Sequence, residues 1–214
     1  MGLVKVKGIV SSWKRRFSAA RSLPWQDHWT ARAAMVSFNL QWVGPKSTVL
    51  VGDSILEMVP HQALEGLNIV NAGFGGAKTA NVYASVRSPV VMAALNANPP
   101  AKAIIQAGTN DSTTGTNPIA VAEQTMAICS LFRKIGSLPV VFAIPPIEEK
   151  KTASRSASMA DAINEATRSA SVKNAVTFTD PYASLRNSED VTQDGIHLSH
   201  KAVATLVEAI RAVA

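Results

Sequence analysis

Ser54 stands directly behind the apolar run Thr48–Val51, in Gly52-Asp53-Ser54-Ile55, and Asp194 and His197 sit three residues apart near the other end of the chain. A serine hydroxyl is a weak nucleophile until a base accepts its proton, and an imidazole is the usual base. A carboxylate that accepts a hydrogen bond from the second ring nitrogen fixes the tautomer and stabilises the imidazolium. Ser54, His197 and Asp194 are therefore candidates for nucleophile, base and orienting carboxylate, and the short Asp-x-x-His spacing lets the last two project from one turn. Acyl transfer also needs donors aimed at the developing oxyanion, each worth about 3 kcal/mol. Between Ser54 and Asp194 lie Asn71-Ala72-Gly73-Phe74-Gly75-Gly76 and Gly108-Thr109-Asn110-Asp111. They supply the N–H of Gly76 and the side-chain amide of Asn110, to which the N–H of Ser54 itself is added. Gly73 and Gly75 read as residues of a tight loop, and Asp53 and Asp111 as carboxylates that brace loops.

Other chemistries fit less well. Lys78-Thr79 follows glycines, but a phosphate-binding loop requires glycine immediately before the lysine and again five residues earlier, where this chain has Ala77 and Ala72. Asp194, His197 and His200 are all acceptable zinc ligands by type. No matching fourth ligand accompanies them, and His200 reads as a surface residue opening the last helix. No metal and no cofactor are expected. His28 and His61 have no evident partner. The single cysteine, Cys129, excludes an intrachain disulfide and reads as an inert core thiol.

The elements that must position these groups follow from the apolar pattern. The runs Thr48–Val51, Asn68–Asn71, Ala103–Gln106, Val140–Ile144 and Val176–Thr179 lack polar alternation, as strands buried on both faces do. Helical patterns over Thr79–Arg87, Val90–Leu95, Pro118–Ile135, Ser156–Val172 and Lys201–Val213 fill the gaps, with a break expected at Pro89. Asn117 and Pro118 are suited to cap and open the third of these helices, and Gly136 to end it. Strands alternating with helices imply an α/β domain with a parallel sheet covered on both faces. Ligands of such sheets bind beyond the carboxyl ends of the strands. Ser54, Gly76 and Asn110 follow the first, second and third strands, so all three fall on that edge.

Charge divides the chain of 214 residues unevenly. Residues 1–46 hold eight basic side chains against one acidic, whereas residues 47–214 hold 13 basic and 14 acidic. The first part reads as a basic, helical N-terminal extension and the second as the catalytic domain. Leu3, Val6, Val10, Trp13 and Phe17 fall at helical spacing opposite Lys5, Lys7, Lys14, Arg15 and Arg16, a pattern suited to peripheral contact with an anionic membrane or a protein through residues 1–20. Trp25, Trp29, Ala33, Val36 and Leu40 form a second stripe expected to pack on the sheet domain. No nucleic-acid module accompanies the charge. No apolar segment is long enough to cross a membrane and no secretory h-region is present, so a cytoplasmic location is expected. The sequence carries no signature of an oligomeric state.

Gly52–Ser54, Gly76, Gly108–Asp111 and Asp194–His197, in this order, resemble the conserved blocks of the SGNH (GDSL) hydrolase superfamily, over most of residues 47–200. Asn71–Val82 is also similar to members related to platelet-activating-factor acetylhydrolase, although those often carry Asp-Thr where this chain has Ala77-Lys78. The resemblance implies a three-layer α/β/α sandwich of flavodoxin type and metal-free hydrolysis of carboxylic esters or thioesters. The substrate expected is a small-molecule, lipid or carbohydrate ester. An acyltransferase on the same site, or a non-catalytic binding module of the same fold, are the alternatives. The nucleophile elbow Gly-x-Ser-x-Gly of ordinary α/β-hydrolases is absent. Acyl and alcohol specificity would lie in the loops Asp111–Asn117, Pro145–Arg155 and Pro181–Gln193, none of which carries a decisive signature.

Overall fold

A computed structural model describes residues 25–42, 44 and 46–214, so the basic amphipathic pattern over residues 3–17 lies outside the described residues. The elements in chain order are α1 (Trp25–Leu40), β1 (Thr48–Gly52), α2 (Ser54–Glu57), β2 (Ile69–Gly73), α3 (Thr79–Val86), α4 (Pro89–Ala97), β3 (Lys102–Gln106), α5 (Pro118–Lys134), β4 (Leu138–Phe142), α6 (Ala157–Lys173), β5 (Thr177–Thr179) and α7 (His200–Val213). The five strands form one sheet in the order β2-β1-β3-β4-β5, and every pairing is parallel. The chain winds outward from β1 in both directions. The strand order reverses between β1 and β3, and their carboxyl ends open the crevice in which sheets of this kind bind ligands.

The two faces of the sheet are covered by different helices, as the unbroken apolar strands require. On one face Val49, Val51, Val70, Ala103, Ile105 and Val141 pack with Ala33, Val36 and Leu40 of α1, Val82 and Val86 of α3, Leu95 of α4, and Ile128 and Phe132 of α5. On the other face Leu50, Ile104, Val140 and Phe142 meet Leu206 and Ile210 of α7 and the buried Tyr182. α6 joins the first layer through Ala160 and Ile163, which pack with Val121 of α5. The result is the three-layer sandwich expected from the sequence. α1 belongs to the packed layer: its inner residues share a core with β1 and β2. No helix among the described residues is long and apolar enough to cross a membrane.

Local signals act as their chemistry dictates. Asn117 Oδ1 accepts the N–H groups of Ile119 and Ala120 at 3.0 and 3.4 Å, and Pro118 opens α5. Gly136, at φ 86°, terminates that helix in the left-handed region that glycine tolerates. The break at Pro89 is complete, with α3 ending at Val86 and Pro89 starting α4. β4 lies two residues earlier than its apolar pattern indicates. The Ala143 N–H still donates to the Thr179 carbonyl of β5 at 2.9 Å, and pairing goes no further because the Ile144 N–H is taken by the Asn164 side chain at 2.9 Å.

Gly52 closes β1 where no side chain fits. A Cβ there would lie 2.0 Å from the Gln106 carbonyl oxygen on β3 and 2.9 Å from a Leu56 methyl. A backbone oxygen in a parallel ladder cannot rotate away, so Gly52→Ala is expected to destabilise the fold by about 3 kcal/mol or more, the upper range for overpacking. Urea titration checks this, and a midpoint close to that of the unchanged chain would contradict it.

Candidate active site

Ser54 is the first residue of α2, placed at the carboxyl edge of the sheet by the abrupt turn at Asp53. Asp53 caps α2, its Oδ1 accepting the N–H of Ile55 at 3.0 Å, while Oδ2 accepts the N–H of Thr109 at 3.2 Å. One buried carboxylate thus ties the end of β1 to the turn after β3. Burial lifts its pKa to about 6, and the Ile55 and Thr109 donors reverse only part of that rise. Asp111 performs the parallel task. Its Oδ2 accepts the N–H and hydroxyl of Thr79 at 2.8 and 2.9 Å, joining the same turn to the start of α3. Both aspartates brace loops, as expected from the sequence.

The segment after β5 brings His197 across to Ser54. Ser54 Oγ lies 3.1 Å from His197 Nε2, although the residues are 143 apart in sequence. His197 Nδ1 lies 2.7 Å from Asp194 Oδ2. Asp194 Oδ1 accepts the N–H groups of Ile196 and His197 at 3.0 and 2.8 Å, so the carboxylate is seated by its own turn. Desolvation would raise the Asp194 carboxyl. The His197 backbone N–H, the His197 ring, the Ile196 N–H and the imidazolium charge together outweigh it and lower the pKa to about 2. A carboxylate at Nδ1 requires the proton on that nitrogen, which leaves Nε2 of the neutral ring to accept from the serine hydroxyl.

The remaining sequence candidates sit on the loops after β2 and β3. Gly76 adopts φ 71°, in the left-handed region, at the tip of the loop that leads into α3. Asn110 lies in the short 3-10 turn Thr109–Asp111 and is 7% exposed. Its Nδ2 donates to the carbonyl of Ala77, next to Gly76, at 3.1 Å. Among the described residues neither the Ser54 N–H nor the Gly76 N–H donates to a protein acceptor. Side-chain bonds thereby tie the four blocks together: the first to the third through Asp53, the third to Ala77 and Thr79 just past the second through Asn110 and Asp111, and the first to the last through Ser54 and His197.

His200, the first residue of α7, is exposed and lines a cavity of about 160 Å³ with Ser54, Ile55, Met58, Pro60, Gln193, His197, Leu198 and Val203. No three His, Cys, Asp or Glu side chains among the described residues are arranged to hold a metal. A larger groove, about 800 Å³, runs between α1 and the segment from α2 to β2, past Met35, Phe38, Trp42 and Leu67. It includes neither Ser54 nor His197. Cys129 is buried in the core, and burial pushes its thiol up to about 12.

Several residues that shape the site have no sequence signature. His28, which has no evident partner in the sequence, lies 3.2 Å from Glu57 Oε1. Glu57 also accepts the Gly75 N–H, while Trp29 Nε1 donates to the Gly75 carbonyl at 2.9 Å and Arg32 to the carbonyls of Gly73 and Asn71 at 3.0 Å each. α1 therefore grips the loop that carries Gly76. On the opposite side Glu148 accepts the N–H groups of Asp190 and Thr192 and the Thr192 hydroxyl, and its N–H donates to the Gly195 carbonyl at 3.0 Å. Burial opposes ionisation of Glu148, but the Thr192, Lys151 and Asp190 donors prevail and lower its pKa. Its bonds to Asp190 and Thr192 span 42 and 44 residues, beyond the reach of any local pattern.

The GDSL-like lipase/acylhydrolase family model matches residues 50–204, which include all four blocks. The chain belongs to that family. It is a GDSL-type ester hydrolase with the fold of its solved relatives. A GDSL-like lipase from Bacteroides thetaiotaomicron superposes with a TM-score of 0.68 at 17% identity, covering 79% of this chain and 87% of that one. The acetyl xylan esterase AlAXEase gives 0.63 at 18% identity, over 78% and 98% of the two chains. Est24, a carbohydrate acetylesterase from Sinorhizobium meliloti, gives 0.61 at 16%, over 78% and 97%. No curated protein matches the chain.

Proposed function

We propose that this hydrolase cleaves carboxylic esters of short acyl chains through a Ser54-His197-Asp194 triad and a covalent acyl-enzyme. Ser54 Oγ attacks the acyl carbon as its proton passes to His197 Nε2, and Asp194 stabilises the imidazolium through Nδ1. The carbonyl oxygen, now negative, lies among the Ser54 N–H, the Gly76 N–H and the Asn110 amide. His197 returns the proton to the departing alkoxide, leaving an ester of Ser54 with the free alcohol released. A water then gives its proton to His197 and attacks the acyl-enzyme. Collapse frees the carboxylic acid and restores the Ser54 hydroxyl.

The observation that carries this reading is the continuous chain from Ser54 Oγ through His197 to Asp194, at 3.1 and 2.7 Å. Water has direct access to the base, because the side chains of His197 and Asp194 are 31% and 55% exposed. The cavity of about 160 Å³ beside Ser54, walled by Ile55, Met58, Pro60, Leu198 and Val203, favours a short acyl group. Acetylated sugars fit this description, and the names of two structural relatives, acetyl xylan esterase and carbohydrate acetylesterase, agree with it.

A fluorophosphonate probe tests the nucleophile: it should label one site, and the modified peptide should contain Ser54. Label on any other residue, or none, would overturn the assignment. Acyl preference is tested with p-nitrophenyl acetate, butyrate and octanoate. kcat/KM should fall at least about tenfold between butyrate and octanoate as methylenes outgrow the cavity. Equal rates across the series would exclude the cavity as the acyl site.

A further inference from the structure

We propose that Arg155, in the loop between β4 and α6, is a positioning residue for the oxyanion site: its guanidinium locks the Asn110 amide with the nitrogen toward the substrate oxygen. The inference rests on the reading of Asn110 as an oxyanion donor.

Arg155 Nη2 donates to Asn110 Oδ1 at 2.7 Å, and Arg155 Nε to the Thr109 carbonyl at 3.2 Å. Nη1 donates to the Ser154 carbonyl at 2.8 Å, which holds the guanidinium plane in place. The neighbouring Ser156 N–H donates to the Ser112 carbonyl at 2.7 Å, so the loop is fastened to both ends of the Asn110 turn. A guanidinium has five N–H donors and no acceptor, so only the oxygen of the amide can face it. A flipped Asn110 would set its NH₂ group against a cation inside a nearly buried site. With the oxygen held, one Nδ2 hydrogen goes to the Ala77 carbonyl at 3.1 Å, and among the described residues the second has no acceptor. That second hydrogen is the donor available to an oxyanion. The positive charge at Oδ1 also draws electron density from the amide nitrogen and strengthens it as a donor, an effect that the low local dielectric preserves.

A merely structural loop anchor would affect folding, or substrate binding through a displaced loop. An orienting residue acts through Asn110 and on the transition state. The discriminating experiment is a double-mutant cycle on p-nitrophenyl acetate hydrolysis with Arg155→Met, Asn110→Ala and the pair. Arg155→Met is expected to lower kcat about 10- to 100-fold with KM changed less than about twofold, and Asn110→Ala about 10²- to 10³-fold. The pair should be no slower than Asn110→Ala alone. Arg155→Lys keeps the charge and one donor but not the fork, so it should lose an intermediate amount that also vanishes in the Asn110→Ala background. This variant carries the test if Arg155→Met does not fold. Multiplicative losses in the cycle, an unchanged kcat, or a loss confined to KM would overturn the proposal. Full activity of Asn110→Ala would remove the oxyanion reading itself, and the Arg155 proposal with it. An impaired Asn110→Ala beside unimpaired Arg155 variants would reject the Arg155 role alone.

Discussion

Ser54→Ala is expected to lower kcat for p-nitrophenyl acetate by about 10⁶-fold while the circular dichroism spectrum is unchanged. Loss of a serine nucleophile removes the covalent route altogether, leaving only what the oxyanion donors and binding contribute, roughly 10³ to 10⁴ over water. The fold should be indifferent because the hydroxyl makes a single side-chain bond, to His197 Nε2, and stands half-buried at the start of a one-turn helix. Neither Asp53, which caps that helix, nor Gly52, which permits the close approach of β1 to β3, is altered. A stability change within about 1 kcal/mol is therefore expected, the net value of one hydrogen bond. Turnover within tenfold of the unchanged enzyme, with a folded variant, would show that Ser54 is not the nucleophile.

The contrast between Ser54 and Gly52 shows what a sequence makes legible. The strands are readable because a parallel sheet buried on both faces demands unbroken apolar runs, and a run such as Val49-Leu50-Val51 has few other uses. Once β1, β2 and β3 are placed, the parallel direction that helical crossovers impose puts Ser54, Gly76 and Asn110, each just past a strand, on one edge. The ends of strands are less legible because they are settled by single competing bonds. Ile144 looks like strand residue by type, yet its N–H is taken by Asn164 from α6.

The supports of the site are opaque for a related reason. Arg155 reaches Asn110 across 45 residues, and Trp29 reaches Gly75 across 46. Neither contact leaves any periodicity, and an arginine in a polar loop or a tryptophan in an apolar helical stripe has a bland use at hand. His28 is similar: it meets Glu57, 29 residues away, only because the fold brings α1 to the end of α2. The sequence thus exposes groups that do chemistry, whose types are restricted by the reaction. It conceals groups that hold them, whose types no reaction dictates and whose partners lie far off in sequence.

Asp194→Asn separates these two kinds of role within one side chain, and it should lower kcat on the order of 10³- to 10⁴-fold. The backbone N–H groups of Ile196 and His197 both donate to Oδ1, at 3.0 and 2.8 Å, and an asparagine oxygen can keep those bonds. The amide nitrogen must then face His197 Nδ1, and as a donor it drives the ring proton to Nε2. In that tautomer Nε2 cannot accept the Ser54 proton, so the ring is correctly placed but chemically reversed. The effect on stability should be small near neutral pH, because the Asp194 side chain is 55% exposed and its charge interactions are screened. The pH dependence has a definite sign. A carboxyl lowered from its usual range to about 2 stabilises the native state above the unfolded-state pKa and loses that contribution as pH falls toward 2. Acid unfolding of the Asn variant should therefore lack this component, while its catalytic defect persists at neutral pH. A kcat within tenfold of the unchanged enzyme at neutral pH would show that Asp194 does no more than brace its turn.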